Sequence, residues 1–402
     1  MIKAFLMLAA LTVCGGLDDS FGVGGTTVTD FGSMKDVASA VATQPDGKIV
    51  VAGTTGDSVA VARYSADGTL DAAFGKDGKV ITKLNGGAQV ERVAVTSDGK
   101  IVVAGSAEGR HGDRDVALVC YDAAGAPDAG FGDKGVALAD LGSRRDLARG
   151  LALAKDGSIL VSGDSGDALA VARFDKAGKL DASFGAGGKV TSSIGKTARG
   201  YALAVQQDGK IVVAGSQDDP DQGINYAVVR YSGDGKLDKG FGTSGVVTSN
   251  FGSPADVGRD LAIQKDGKIV VVGYTGRSIG VVRYTPDGAP DAGFSKDGKV
   301  TTAVGTRAKA RSVALQPDGK IVVAGAEDNP SQGTNFLLVR YDADGGLDEG
   351  FGAAGVSGTN FGSPEDDGRA VALQPDGKIV VVGTSRNPVV GVNFAVARFL
   401  GR

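Results

Sequence analysis

One histidine, two cysteines, three methionines and no tryptophan in 402 residues remove several kinds of chemistry before any motif is sought. A metal centre built on imidazole or thiolate needs three or four such ligands, and His111, Cys14 and Cys120 do not suffice for one. The same shortage rules out a disulfide framework. No apolar run reaches the roughly 18 residues that carry a helix across a bilayer. An excess of one charge sign is also missing. The 43 Lys and Arg are interspersed with 47 Asp and Glu, for a net charge of −4, so no basic face for nucleic acid stands out.

What the chain has in quantity is glycine, 66 residues of it, set in a repeat. The stretch Gln316-Pro317-Asp318-Gly319-Lys320-Ile321-Val322-Val323-Ala324-Gly325 returns almost unchanged from Gln374 to Gly383, and in weaker copies throughout. Pro-Asp-Gly reads as a tight turn that needs a positive φ at glycine. Ile-Val-Val-Ala reads as a short buried strand that stops at the next glycine. The turn aspartates are Asp46, Asp98, Asp156, Asp208, Asp266, Asp318 and Asp376, spaced alternately 52 and 58 residues apart. A second marker, the phenylalanine of a Leu/Pro-Asp-x-x-Phe corner, falls at Phe21, Phe74, Phe131, Phe184, Phe241, Phe294 and Phe351. Both counts give seven units.

Each unit reads as four strands. In the last complete one, strand a is expected at Ser312 to Gln316, b at Lys320 to Gly325, c at Asn335 to Tyr341, and d within Gly355 to Thr359. Seven four-stranded units of this length predict an all-β fold, a single seven-bladed β-propeller of antiparallel blades spanning residues 17–402. The ends strengthen this reading. Leu17-Asp18-Asp19-Ser20-Phe21-Gly22 is the d portion of a unit without a, b and c, and Phe394 to Phe399 is a c strand without its d. An N-terminal strand that completes the last blade would close the ring and hide the edges.

The pattern V-A-L-Q-P-D-G-K-I-V-V-A-G, then F-A-V-A-R-Y, then D-G-x-L-D-x-x-F-G resembles the bacterial delta-60 repeat family and, distantly, NHL-type repeats. The resemblance implies a propeller, often exported, and no particular activity. Consistent with export, Met1-Ile2-Lys3 is a positive head before an apolar stretch from Ala4 to Val13. Residues 1–13 are expected to be a signal peptide. Leu11-Thr12-Val13-Cys14-Gly15 resembles a lipobox, although Val13 stands where a small residue is usual. Cys14 is therefore the candidate lipid attachment, with an ordinary signal peptide or a misplaced start as alternatives. The expected location is the outer membrane or cell surface, or else the periplasm or medium, with lipid as the only membrane contact.

Enzymatic signatures are weak. Gly163-Asp164-Ser165-Gly166-Asp167 resembles a serine-protease motif, but Gly163 is only the end of strand b, matching Gly105 and Gly215. Asp342-Ala343-Asp344-Gly345-Gly346-Leu347-Asp348 spaces oxygens as a calcium loop does. Its counterparts Ser65-Ala66-Asp67-Gly68 and Thr285-Pro286-Asp287-Gly288 lose carboxylates. Turn chemistry accounts for the loop, so no metal or cofactor is expected, with structural calcium as the alternative. The recurring strand-c arginines (Arg63, Arg173, Arg230, Arg283, Arg340, Arg398) are expected to pair with the following corner aspartate, while Cys120 replaces the arginine in the second unit.

One column of the repeat is more suggestive. Seven residues before each turn aspartate stand Ser39, Glu91, Arg149, Tyr201, Arg259, Arg311 and Arg369. These positions should open strand a and ring the channel mouth, on the face that carries the d–a and b–c loops. Arg149, Tyr201, Arg259, Arg311 and Arg369 are the candidate binding residues, for a carboxylate, a phosphate or an acidic glycan. The competing expectation is that Asp146, Asp256 and Asp366, three residues upstream, neutralise Arg149, Arg259 and Arg369. The leading functional expectation is a non-enzymatic, monomeric, exported binding or scaffold protein with an anionic ligand or a protein partner. A carbohydrate-active lyase or hydrolase on the same face is the first alternative, and a purely structural surface protein the second.

Overall fold

The computed structural model describes residues 14–109, 112–389 and 391–402, so the expected signal segment and His111 lie outside the described residues. Seven four-stranded antiparallel sheets follow one another in chain order. Blade 1 is made of strands a Asp36–Thr43, b Ile49–Thr55, c Ser58–Tyr64 and d Lys79–Lys83. Blades 2 to 6 occupy 88–139, 146–192, 198–249, 256–302 and 307–359 in the same a-b-c-d order. Blade 7 takes a, b and c from Asp366–Leu373, Ile379–Asn387 and Gly391–Phe399, and d from the other end of the chain, Thr26–Thr29. There Thr26 pairs with Ala397 and Thr29 with Phe394, so the expected N-terminal closure is realised.

The break in the chain falls inside the c–d turn of blade 7. Gly15 donates to the Leu400 carbonyl at 2.8 Å and Leu400 to that of Gly16 at 2.9 Å, which stitches the two ends into one turn. Gly352 donates to the Cys14 carbonyl, just as Gly22 donates to that of Asp67 at the next turn around the ring.

Strands are longer than the sequence suggests near the loops. In blade 6, strand a begins at Arg307 rather than Ser312, and strands b and c run on to Asn329 and back from Gly333. The polar segment between strands b and c, Glu327 to Gly333, is thus mostly a two-stranded flap, whose extra ladder hydrogen bonds outweigh the polar composition. The turns are as expected: Gly319 has φ +93°, a conformation open to glycine at little cost. Gly345 has no room for a side chain, because a Cβ there would lie 2.9 Å from the Phe294 ring of the preceding blade.

Packing is between blades. Each apolar cluster joins two neighbours, as when Val270, Val272, Ile279 and Val281 of blade 5 meet Ile321, Val323 and Leu337 of blade 6 around Phe294. The corner phenylalanines wedge these seams and are all buried. Over each wedge except that of blade 2 lies the strand-c arginine. Arg283 donates from Nε to Asp291 at 2.7 Å, from Nη1 to the Ala343 carbonyl of blade 6, and stacks 4.6 Å from the Phe294 centroid. The expected Arg–Asp pair is therefore also a staple to the next blade, which the pairwise reading did not include. A lysine from the a–b turn joins most corners, for example Lys268 at 3.2 Å from Asp291. This contact puts the a–b and c–d turns on one face of the ring and the d–a and b–c loops on the other.

The corner carboxylates are held below their ordinary value. Burial opposes the charge of Asp18, Asp71, Asp238, Asp291 and Asp348, but hydrogen bonds from lysine, arginine and backbone N–H outweigh it; for Asp128 and Asp181 the largest effect is itself a hydrogen bond, from Lys100 and Ser183. Asp18 falls to about 2. A carboxylate depressed in the folded state stabilises it above the unfolded pKa, about 3.9, and that contribution is lost as pH falls through the folded value. Stability is accordingly expected to be flat down to pH of about 4 and to drop steeply between there and about 2, measurable as denaturation midpoint against pH.

Candidate functional site

Each strand a carries one β-bulge, and its extra residue is in every case the residue of the suggestive column. The register skips between Ala38 and Ala40, Val90 and Arg92, Ala148 and Gly150, Gly200 and Ala202, Gly258 and Asp260, Ala310 and Ser312, and Gly368 and Ala370. Ser39, Glu91, Arg149, Tyr201, Arg259, Arg311 and Arg369 do not open strand a, as expected from the sequence; they lie inside it. A bulge leaves one residue unpaired and re-aims its side chain. Seven bulges aim seven side chains at the axis.

All seven line one funnel of about 440 Å³ at the channel mouth, on the d–a and b–c face. Its wall carries seven cationic side chains (Lys35, Arg92, Arg114 and the four ring arginines) against two acidic ones, Asp57 and Glu91. In a chain of net charge −4 this is a local reversal of sign. Low-dielectric walls focus such a field on the mouth.

The expected neutralising aspartates do something else. Asp146, Asp256 and Asp366 are fully buried and close the d–a loops: Asp256 accepts from Phe251 N at 2.6 Å and from Ser253 Oγ at 2.6 Å. Asp146 and Asp366 accept from their own d–a loops in the same way, so these carboxylates are engaged there and not on the ring arginines. Arg149 pairs instead with Asp164, at the end of strand b, through Nε and, at 3.3 Å, Nη2. Arg311 and Arg369 share Asp367, at 2.9 and 3.2 Å. Arg259 makes no ion pair among the described residues.

Arg259 is held by aromatic faces. Its guanidinium lies 4.4 Å from the Tyr201 centroid and 5.7 Å from that of Tyr274. Tyr201 is itself flanked by Arg149 at 5.0 Å, and Tyr274 by Lys309 Nζ at 5.2 Å. The result is a stack, Arg149–Tyr201–Arg259–Tyr274–Lys309, running along the wall of blades 3 to 6. Cation–π contacts fix a guanidinium by its face and leave its N–H edge open. The cations crowd one another. Burial and the charges of Arg307, Arg311 and Arg259 hold Lys309 below its usual value. Burial likewise lowers Arg311, Asp367 opposing and Arg369 and Arg259 adding. Arg311 Nε is buried with no hydrogen-bond partner among the described residues.

One residue deeper, the ring is mostly small: Ala40, Gly150, Ala202, Ser312 and Ala370. Arg92 and Asp260 occupy its two other places and meet across the axis at 3.9 Å. Arg92 also donates to the Tyr201 carbonyl at 3.3 Å, and Asp260 accepts from Val313 N at 2.9 Å. Burial raises the Asp260 carboxyl above its ordinary value, although Arg92 opposes this. The crossbar floors the funnel.

Arg92, Asp164, Asp260, Tyr274, Lys309 and Asp367 were not among the sequence candidates. Four of them depart from their repeat columns: Arg92 and Asp260 stand among small residues, and Asp164 and Tyr274 stand where other units have Thr54, Ser106, Ser216, Ala326 and Thr384, whereas Lys309 and Asp367 fall in a column without a consensus (Val37, Gln89, Leu147, Arg199, Val257). Cys14 lies on the opposite face, half-buried, with its Sγ 3.1 Å from Arg340 Nη2. In the Asp342–Asp348 loop the carboxylates are divided between partners: Asp344 accepts from Gly346 N at 3.1 Å, while Asp348 holds Arg340 and Lys320. Among the described residues the three carboxylates that do converge, Asp115, Asp140 and Asp146, lie elsewhere. Both oxygens of Asp146 are already engaged there, by Leu141 N and Ser143 Oγ.

Comparison with solved structures returns propellers of unlike function. A catalytically inactive virginiamycin B lyase from Staphylococcus aureus with quinupristin aligns with a TM-score of 0.55 at 11% identity, over 92% of this chain and 98% of its own. Drosophila Plexin A in complex with Semaphorin 1b aligns with a TM-score of 0.50 at 9% identity, over 93% and 86%. Likeness at this level concerns the fold. No curated protein sequence matches the chain. A family model described as "Domain of unknown function (DUF5122) beta-propeller" matches residues 44–74, 96–131, 154–184, 206–241, 264–294, 316–351 and 374–400, more than half of the sequence and one match in every blade. The chain belongs to the DUF5122 β-propeller family.

Proposed function

We propose that this is an exported, non-enzymatic binding protein that holds an anionic group of a small ligand, an acidic glycan or a protein partner in the funnel. The observation that carries the reading is Arg259, a guanidinium clamped between two tyrosines with no ion-pair partner among the described residues, on a wall that carries six other cations. A planar fork presented edge-on suits a carboxylate, sulfate or phosphate. A purely structural ring would have each arginine neutralised by a neighbouring aspartate, and Arg259 goes against that. Anchorage through a lipid on Cys14 belongs to the same reading, and loss of membrane association in Cys14→Ser would check it.

Titration with carboxylate, sulfate and phosphate probes, including uronate oligosaccharides, tests the site. Arg259→Ala is expected to weaken binding about ten- to a hundredfold, the worth of one charge-assisted fork. Asp367→Asn, which removes the charge shared by Arg311 and Arg369, is expected to tighten it. Silence with every anion, together with lower stability of Arg259→Ala, would mean the ring is structural.

Catalysis has one observation in its favour. Asp260 is a non-repeated carboxyl raised by burial, beside Arg92 and under the ring that carries Tyr201. A lyase or hydrolase would turn over a bound uronate, and Asp260→Asn would stop turnover while sparing binding.

A further inference from the structure

The charge around the funnel is divided, and the division narrows the ligand. The four ring arginines belong to blades 3, 5, 6 and 7, whereas blades 1 and 2 contribute Ser39 and Glu91 to the same layer, with Asp57 beside them. Glu91 is a bulge residue like the arginines and is aimed at the same space. Its carboxylate accepts from Gln89 Nε2 at 2.7 Å, which steadies it. Against burial, the Glu91 charge adds a little to Asp164 in holding Arg149 of the neighbouring blade protonated, but Glu91 does not sit against a ring arginine as Asp164 and Asp367 do. Among the described residues neither Glu91 nor Asp57 forms an ion pair.

Glu91 and Arg259 stand on opposite walls, since the residues immediately after them, Arg92 and Asp260, meet across the axis. A polyanion filling the funnel would place charge against Glu91 and Asp57. A simple monoanion would leave Glu91 unpaired. Lys35 and Arg114, at the loop ends of their strands, stand on the Glu91 side and make the outer rim positive there as well.

Resting on the anion site above, we propose that the funnel takes a small zwitterion, an amino acid or short peptide whose carboxylate lies on Arg259 and whose ammonium lies on Glu91 and Ser39. Opposite charges fixed on opposite walls select both the presence and the spacing of the ligand's two groups.

The test uses linear amino acids of increasing length (aminobutyrate, aminohexanoate, aminooctanoate) beside hexanoate and N-acetyl-aminohexanoate, titrated into the full folded chain by calorimetry. One of the amino acids is expected to bind at least about tenfold more tightly than either amine-free probe, a difference near 1.4 kcal/mol. Glu91→Gln is expected to erase that preference while keeping hexanoate binding. Hexanoate and its N-acetyl relative binding as well as the amino acids, or a preference that survives Glu91→Gln, would overturn the zwitterion and leave the anion site standing. If no probe of either kind binds, both readings fall together.

Discussion

A chain lacking residues 14–30 is expected not to form the ring. The deletion removes strand d of blade 7, the fully buried Phe21, and Asp18, the carboxylate that meets Arg398 Nε at 2.8 Å and Lys378 at 3.0 Å. Loss of one buried phenylalanine costs about 3–5 kcal/mol. Leaving a buried arginine unpaired costs a similar amount, and Arg398 is only 3% exposed. Together these reach the whole stability of an ordinary domain, about 5–15 kcal/mol. The truncated chain should elute as expanded or associated species and show no cooperative unfolding transition. A synthetic peptide of residues 14–30 should restore the transition in trans, and the same peptide with Asp18→Ala should do so far less well. A truncated chain that unfolds with the same midpoint as the full one would refute the closure.

Arg283→Ala is expected to destabilise by about 3 kcal/mol, the cost of breaking a buried pair. Arg283 is 4% exposed and holds three things at once: Asp291, a carbonyl of blade 6 and the Phe294 face. Blade 2 offers the reverse experiment. Cys120 stands in the arginine's place; its Sγ is 3.9 Å from Asp128, and Lys100, at 2.7 Å, is the only cation paired with that carboxylate among the described residues. Cys120→Arg should therefore stabilise by about 1 kcal/mol, the usual gain when a repeat is returned to its own consensus. Burial, with Asp128 adding, pushes the Cys120 thiol up to about 12, so no thiolate chemistry is lost by the change. Chemical denaturation of both variants decides the matter. Equal midpoints for wild type and Arg283→Ala would show that the staple contributes nothing net.

Repetition made the fold legible, because a turn and a buried strand stated seven times leave little choice of architecture. The column Ser39, Glu91, Arg149, Tyr201, Arg259, Arg311, Arg369 was legible for the same reason, since it recurs at a fixed offset. The bulge that aims it was not, because a bulge is a mismatch of register between two strands and shows only when both are in place. The partners of the arginines were misjudged from proximity in sequence. Asp256 lies three residues from Arg259, yet its two oxygens are taken by Phe251 N and Ser253 Oγ of its own loop. Of the true partners, Asp164 was visible as a break in the repeat, whereas Asp367 stands in a column that varies from unit to unit. A residue that departs from its own column, as Tyr274 and Asp260 also do, was the better guide to the funnel.

The split turn of blade 7 settles how the molecule can be mounted. Cys14 enters and Gly401 leaves at the same c–d corner, on the face away from the funnel. A bead or a resin holding the protein at Cys14 or Gly401 therefore meets the underside of the ring, and the mouth looks outward, away from its support. A cargo domain fused at either point would hang behind the ring and leave the approach to the mouth unobstructed.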